Sequence, residues 1–405
     1  MAKIIPFKAV LPTADKVALV TTRSYDEYSA AELASWLDFN PFSFLHIMSP
    51  AYINQQKIGI NERFKMVANK YNDFKRDGIL VKQDKSAMYL YKIETKKNTF
   101  LGIMAGTSVT DYQENKIKKH ENTLAYRVDT LKDYFKITQF NTEPVLMMYP
   151  ENDALQQWIS DKQKMAPLYD FSTTNREKHT LWSIDSEKEI EFITNIFNSF
   201  DNLYIADGHH RSASAHLLHQ ENKDANNSKL DYFMSFLISE NNIKINEYNR
   251  LVHDLNNHSV TDFLSLLDKD FVVIKRNEQI WKPTQKFEFG MYLEGNFYSL
   301  QLKDIPTSEN KLETLDAQLL YDKILNPILG IEDLRTDSRI DYIPGNKSLL
   351  EMIDKIDNGA YKIGFNLYPA SIEEIKYLAD NDLTMPPKST YIEPKFRNGL
   401  IIYEL

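Results

Sequence analysis

Asp207-Gly208-His209-His210-Arg211 is the densest cluster of chemically useful residues in this chain. It follows Asn202-Leu-Tyr-Ile-Ala206, an apolar run suited to a buried strand, and precedes Ser212 to Gln220, whose Ala, Leu and His content suits a helix. Strand, tight turn and helix start make an anion site, because a helix N-terminus presents unpaired backbone N–H groups and a positive dipole end. Gly208 lets the backbone approach a ligand closely. Arg211 adds a planar fork matched to phosphate oxygens, and either histidine can donate to a phosphate or move a proton near neutral pH. Asp207 needs a cation, a hydroxyl proton or an N-capping duty to sit beside an anion. Asp-Gly alone is ordinary turn chemistry, with Asp207 as a helix cap. Two histidines and an arginine added to it favour a phosphate cradle. A metal site built on His209 and His210 is disfavoured, because adjacent side chains on one turn diverge.

Three further clusters offer weaker chemistry. In Lys116-Ile-Lys-Lys-His120-Glu121-Asn122-Thr123, basic neighbours favour the ionised Glu121, which could act as a general base; the competing reading is a solvated helix start capped by Asn122 or Thr123. Leu334-Arg335-Thr336-Asp337-Ser338-Arg339 and Met385-Pro-Pro-Lys388-Ser389-Thr390-Tyr-Ile-Glu-Pro-Lys395 present hydroxyls and cations to a phosphate, or else surface ion pairs and a rigid proline loop. Asp170 to Thr174 with Lys178-His179-Thr180 is a fainter version of the same pattern. P-loop, GxGxxG and GxSxG motifs are absent.

The elements that must position these residues are legible in part. Ser29 and Glu32 bracket a capped helix over Tyr28 to Leu37, ended by Asn40-Pro41. Ile60 to Asp77 has helical spacing with Gly78 as its stop, and Ala87 to Glu94 with Thr99 to Ala105 reads as a hairpin. Lys116 to Tyr134 is helix-permissive, Pro144 to Tyr149 is a buried strand, and Glu187 to Phe200 is an amphipathic helix. Beyond a polar break at Glu221 to Ser228, Tyr232 to Ile238 is another apolar strand. Helices are expected over Val260 to Leu267, Leu315 to Leu325, Ser348 to Ile356 and Ser371 to Leu378, and a hairpin turning at Gly295-Asn296 over Phe287 to Leu302. No internal repeat is present.

Composition bounds the function. At 405 residues, two or three packed units are expected. With no cysteine, thiolate chemistry, disulfides and iron–sulfur clusters are excluded, which fits a reducing compartment. The start, Met1-Ala-Lys-Ile-Ile-Pro-Phe7, lacks a secretory apolar stretch and no segment is long enough to cross a bilayer, so a cytoplasmic protein is expected. A net charge of -9 argues against nucleic-acid binding, which depends on basic side chains.

Taken together, Ser24-Tyr25-Asp26, Asn40-Pro41 to Leu45-His46, His120-Glu121-Asn122-Thr123, Pro144 to Tyr149, the strand into Asp207 to Arg211, Leu334 to Asp337 and Met385 to Thr390 make the chain resemble the domain-of-unknown-function 1015 family along nearly its whole length. Arg23-Ser24 stand where that family commonly has two prolines. The family in turn looks like a relative of the ParB and sulfiredoxin superfamily, in which a Gly-containing loop ending in Arg binds nucleotide phosphates at a helix start. Gly208 to Arg211 match that loop. Free serine kinases of that superfamily carry an Asp-Gly-x-His-Arg loop and an upstream catalytic glutamate, which Asp207, Gly208, His210, Arg211 and, in chain order, Glu121 match.

The resemblance implies an α+β protein with a ParB/sulfiredoxin-like nucleotide-binding core. The expected division is 1–100, a core over 101–240 with a long insertion at 151–200, and a C-terminal α+β unit over 241–405. The implied activity is phosphoryl transfer from ATP, ADP or another nucleotide to a small hydroxyl-bearing metabolite, with serine the leading guess. Glu121, Asp207 and His210 are the catalytic candidates; Gly208, His209, His210 and Arg211 hold the nucleotide. His120, Thr123, Arg335, Lys388 and Ser389 are candidates for substrate contacts, and Glu121 or Asp207 for holding Mg²⁺. The alternatives are a nucleotide-binding regulatory module without turnover and a phosphate-ester hydrolase. A homo-oligomer is compatible with this reading.

Overall fold

The computed structural model describes residues 2–50, 58–223, 227–277 and 280–405; the middle of the polar break at Glu221 to Ser228 lies outside these. Two compact units emerge: one holds Met1–Lys118, Thr123–Ile243 and Pro394–Leu405, the other Lys119–Asn122 and Lys244–Glu393. Helices and strands are mixed in both, an α+β architecture.

The first unit is built on a nine-stranded sheet of β1 (Ile4–Ile5), β2 (Met88–Glu94), β3 (Thr99–Ser108), β4 (Ile117–Lys118), β5 (Val145–Tyr149), β6 (Tyr169–Ser172), β7 (Lys178–Ile184), β8 (Leu203–Asp207) and β9 (Tyr232–Ser239), in the order β4-β8-β5-β9-β3-β2-β7-β6 with β1 on β3. The sheet is mixed. β4 runs parallel to β8 and β5 parallel to β9, whereas the β2–β3 hairpin and the remaining pairs are antiparallel. Alternate residues share a face: Met88 and Leu90, Ile103 and Ala105, Val145 and Met147, and Leu203 and Ile205 all join one buried cluster. Helices α4 (Asp153–Lys162) and α5 (Glu187–Phe197) cover it with Leu155, Ile159, Ile193 and Phe197. Residues 151–200 thus supply two strands of the main sheet and two of its covering helices.

Local sequence explains several element ends. Helix α1 (Ala30–Phe39) begins with the Ser29–Glu32 capping box, both halves formed. Helix α2 (Ile60–Arg76) stops at Gly78, whose φ of 70° permits the reversal in which the Ile79 N–H returns to the Phe74 carbonyl. Lys116 to Tyr134 corrects the sequence reading. Ile117, fully buried, is taken into the sheet against Leu203, and α3 (Ala125–Thr138) starts only at Ala125 with Leu124 at its cap and no capping side chain from Asn122 or Thr123. Burial of one apolar residue at the sheet edge outweighs the helical propensity of its charged neighbours. Helix α6 (His209–Glu221) begins three residues earlier than its composition indicates.

The second unit has a seven-stranded sheet of β10 (Lys244–Val252), β11 (Phe271–Arg276), β12 (Glu288–Leu293), β13 (Asn296–Leu302), β14 (Ile340–Pro344), β15 (Ile363–Asn366) and β16 (Thr390–Glu393), ordered β11-β13-β12-β15-β10-β14 with β16 on β10. Helix α7 spans Val260–Leu267, and α8 (Leu349–Asp357) packs Leu349, Met352 and Ile356 against Leu251, Tyr292 and Phe297. Helix α9 (Ile372–Asp380) carries a second capping box, Ser371 with Glu374. The β12–β13 turn falls on Glu294-Gly295, with φ of 47° and 75°, one residue before the expected Gly295-Asn296. The segment expected as one helix over Leu315 to Leu325 is a short α-helix, Asp316–Leu320, followed by a wider π-type turn, Tyr321–Leu325.

In the first unit, Tyr403–Glu404 pairs with Phe140–Asn141, and Glu404 accepts from Lys75, from Lys82 at 2.6 Å and from Tyr71 Oη at 3.0 Å. Burial raises the Glu404 pKa, but the two lysines overcome it and hold the carboxyl at about 2. A depressed folded pKa contributes stability that is present above the unfolded value, about 4.3, and is lost as pH falls toward the folded one. Glu404→Gln is therefore expected to lose about 2 kcal/mol in urea unfolding at pH 7. That deficit relative to the unsubstituted protein should narrow between pH 5 and pH 2; a deficit constant across this range would contradict the assignment.

Candidate functional site

At the junction of β8 and α6 the chain turns on Gly208, whose φ of 99° and ψ of 25° lie in the left-handed region. The Arg211 side chain folds back over this residue. A Cβ placed on Gly208 would stand 3.0 Å from Arg211 Nε and 3.1 Å from Cζ, so both conformation and space require glycine here. The Ser212 N–H closes the first helical bond onto the Gly208 carbonyl at 3.1 Å, and Ser212 Oγ donates to the His209 carbonyl at 3.0 Å. The N–H groups of the first turn precede the intrahelical ladder, as in any helix, and point along the axis beyond Gly208.

Asp207 does not cap this helix. Its Oδ2 lies 3.0 Å from Lys395 Nζ and 3.5 Å from Arg211 Nη2. Burial pushes the Asp207 pKa up, yet the Lys395 ammonium and the Arg211 guanidinium, helped by His209, hold it far below the usual carboxylate range. Arg211 also donates to the Pro144 carbonyl and lies 3.5 Å from Glu143 Oε2. Two acids and two bases thus alternate around the turn: Lys395, Asp207, Arg211, Glu143. Lys395 stands 188 residues away in sequence. The sequence includes it as the last residue of the proline-rich cluster, with no local signal pointing to Asp207.

His210 is tied to the start of α3. Its Nε2 accepts the Leu124 N–H at 3.1 Å, which places its proton on Nδ1 and leaves the ring neutral while that bond holds. Ser214 Oγ lies 2.7 Å from the His210 carbonyl and 2.9 Å from that of Val128, joining α6 to α3. His209 is buried. Within the first unit the structure therefore brings together Asp207 through Arg211 with Lys395, Glu143 and the start of α3; Thr123, half-buried, immediately precedes Leu124.

His120, Glu121, Arg335, Lys388 and Ser389 lie in the second unit, and the Asp170 to Thr180 cluster in the first. The carbonyl of His120, a fully buried residue, accepts from the Met385 N–H at 2.9 Å, and Asn122 Nδ2 reaches Thr384 Oγ1 at 3.3 Å; Glu121 between them is half-buried. Lys388 adopts a φ of 57°, holds its ammonium 5.0 Å from the Tyr248 ring centroid and gives its carbonyl to Arg250 at 3.2 Å. Ser389 is buried and donates to the Pro386 carbonyl at 2.7 Å. Arg335 is exposed, its N–H donating to Asp333 Oδ1 at 2.8 Å in a local turn. In the β6–β7 hairpin, Asp170 pairs with Lys178 at 3.2 Å across the strands, and His179 is buried with its Nδ1 2.8 Å from Tyr91 Oη.

No helix among the described residues is long and apolar enough to cross a membrane. Among solved structures, a free serine kinase in complex with AMP is similar at 14% identity, covering 77% of this chain and 94% of that one, with a TM-score of 0.39 for one variant. C-terminally truncated SbnI from Staphylococcus aureus is similar at 14% identity, covering 73% and 85%, with a TM-score of 0.38. A conserved hypothetical protein from Pyrococcus furiosus shares 11% identity over 73% of this chain and 91% of its own, with a TM-score of 0.35. No curated protein matches. Residues 4–318, which contain the β8–α6 turn and every element that builds the nine-stranded sheet, match one family in sequence, and the chain belongs to it: the DUF1015 family, described as a protein of unknown function.

Proposed function

We propose that the chain binds the phosphates of a nucleotide on the Gly208 to Arg211 turn and transfers a phosphoryl group to the hydroxyl of a small metabolite, with serine as the first candidate. The observation that carries this reading is the left-handed Gly208 at the start of α6, over which Arg211 is folded. It gives a phosphate chain backbone donors, a helix dipole and a cation within one turn. The match of this turn to the Asp-Gly-x-His-Arg loop of free serine kinases supports an adenine nucleotide, ATP or ADP, as the donor.

Roles follow from the chemistry. Backbone N–H groups and Arg211 cradle the phosphates and stabilise charge on the transferred group. The acceptor hydroxyl loses its proton to a carboxylate as its oxygen bonds to phosphorus and the donor's bridging oxygen departs with the shortened nucleotide. Asp207 is a weak base for that step, because Lys395 and Arg211 hold its pKa so low. It is a poor Mg²⁺ ligand for the same reason, its Oδ2 being shared by two cations. The base of this proposal is Glu121, which matches in chain order the upstream catalytic glutamate of the free serine kinases. His210 acts through its bond to the Leu124 N–H, as a positioning residue, while Lys395 balances Asp207.

Incubation of the protein with ATP, ADP or CTP and Mg²⁺ against hydroxyl amino acids and sugars, followed by phosphorus NMR, tests the reading. A new phosphate-ester resonance is expected with at least one acceptor. Glu121→Gln is expected to leave nucleotide affinity within about twofold and to slow transfer by 10²-fold or more, the scale of losing a general base. Nucleotide binding with unchanged spectra across the panel would favour a regulatory module, and phosphate release without an acceptor would favour a hydrolase.

A further inference from the structure

Strand β11 (Phe271–Arg276) ends the seven-stranded sheet, and its outer side is open. Which backbone groups are open follows from the ladder. The Leu302 N–H donates to the Phe287 carbonyl, on the β12 side, and the Lys303 N–H to the Asp270 carbonyl, on the β11 side. Antiparallel pairing alternates, so Asp270, Val272, Ile274 and Arg276 turn their N–H and C=O groups inward to β13. Phe271, Val273 and Lys275 turn theirs outward, where no group among the described residues pairs with them.

An open edge is a liability that folds usually blunt. At the opposite edge, β14 ends on Pro344 and exposes Asp341. β11 reads Phe-Val-Val-Ile-Lys-Arg, without proline, and leaves Val272 44% and Ile274 43% exposed on one face. On that same face the two ends carry opposite charge. Asp270 Oδ1 takes Lys323 Nζ at 2.8 Å. Arg276 Nε donates to Ser299 Oγ at 2.9 Å, and its guanidinium lies 5.1 Å from the Trp281 ring centroid; no carboxylate among the described residues pairs with it.

A strand of this pattern is complementary to a second copy of itself. A twofold axis perpendicular to the sheet sets the strands antiparallel, and all three open residues find open partners only when that axis passes through Val273. Phe271 then faces Lys275 of the second copy and Val273 faces Val273, each pair exchanging N–H and C=O bonds in both directions. On the exposed face Val272 falls opposite Ile274 twice, closing four apolar side chains together, and Asp270 falls opposite Arg276 twice. Sliding the axis to Lys275 sets Lys275 against Lys275 and Ile274 against Arg276, which like charge and lost apolar contact both disfavour.

We infer that β11 is the contact of a homodimer in which two seven-stranded sheets join edge to edge, with Val273 on the twofold axis. Pairing consumes the β11 edge of both copies, so assembly stops at two. The interface is narrow, one strand from each copy, which places it among weak, reversible contacts rather than obligate ones. The inference does not rest on the proposed function.

Light scattering behind size exclusion reads the mass of the full chain, 47.3 kDa per copy, across protein concentration. The mass is expected to climb from one copy toward two between about 1 and 200 μM, the range of a weak, narrow interface. Ile274→Lys adds a charge at an exposed position, and Val273→Pro removes an N–H that β13 does not use. Each is expected to leave the melting curve nearly unchanged and to raise the concentration of half-assembly about tenfold or more. The charged ends test the register. Asp270→Arg alone and Arg276→Glu alone are expected to stay at the mass of one copy. An equimolar mixture of the two should recover the dimer, because one variant carries two positive ends and the other two negative ones. Should Asp270→Arg fail to fold, Ile274→Lys and Val273→Pro still decide. A single-copy mass at about 200 μM would overturn the inference and leave the edge to a strand from another protein. A dimer untouched by Ile274→Lys and Val273→Pro would put the contact elsewhere, masses beyond two copies would mean open aggregation, and a charge-variant mixture that stays monomeric would sink the pairing about Val273.

Discussion

Gly208→Ala is expected to weaken ATP and ADP binding by about a hundredfold while the protein stays folded. The backbone cost is about 1–2 kcal/mol, because an L-residue at a φ of 99° carries its Cβ against the following carbonyl. Part of it will appear as a lowered melting temperature. The larger effect comes from space. The new methyl would meet Arg211 at Nε, Cζ and Nη2, all within 3.1 Å, and the guanidinium must swing away from Asp207 and the Pro144 carbonyl. The turn then loses both the close backbone approach and the cation placed for phosphate, and two such losses of about 1.4 kcal/mol each make the hundredfold. Calorimetric titration with ADP reads the effect. Affinity within threefold of the unsubstituted protein would mean that the nucleotide does not use this turn.

Charge balance around the same turn gives the second large effect, and it runs in opposite directions for two neighbouring residues. Lys395, Arg211, Asp207 and Glu143 sum to zero, so the turn as it stands attracts a polyphosphate through its backbone dipoles more than through net charge. Asp207→Asn makes the sum +1 and should tighten ADP binding. Lys395→Met makes it -1 and should weaken it. A unit charge about 5 Å from a phosphate is worth roughly 1–3 kcal/mol at effective dielectrics between bulk water and a protein surface, or about five- to a hundredfold in affinity each way. The double variant should return near the starting value, since Asp207 and Lys395 chiefly neutralise each other. Salt reports on the same physics: the difference between the two single variants should shrink as ionic strength rises. If Asp207→Asn weakens ADP binding, Asp207 is a ligand or base in its own right and the neutralising role fails. Asp207→Asn should also retain far more phosphoryl transfer than Glu121→Gln, because a carboxylate held so strongly acidic has little affinity for the hydroxyl proton.

The sequence by itself determined the local parts of this protein. Strand β8, the Gly208 turn and the start of a helix follow from an apolar run, a residue able to take a positive φ and a helix-forming stretch, all within twenty residues. The Ser29–Glu32 capping box and the β2–β3 hairpin are legible for the same reason, since caps and alternation are settled by neighbours three or fewer residues apart. Tertiary structure decided what those parts face. Asp207 reads as a cap or a metal ligand until Lys395 arrives from 188 residues away to claim it. His210 reads as a proton carrier until the Leu124 N–H occupies its Nε2. Ile117 reads as one turn of a charged helix until a parallel partner, Leu203, buries it at the sheet edge. Backbone preferences act over a turn or two and leave a periodic trace in the chain; charge compensation and burial act through space, between segments whose separation in sequence carries no record of their meeting.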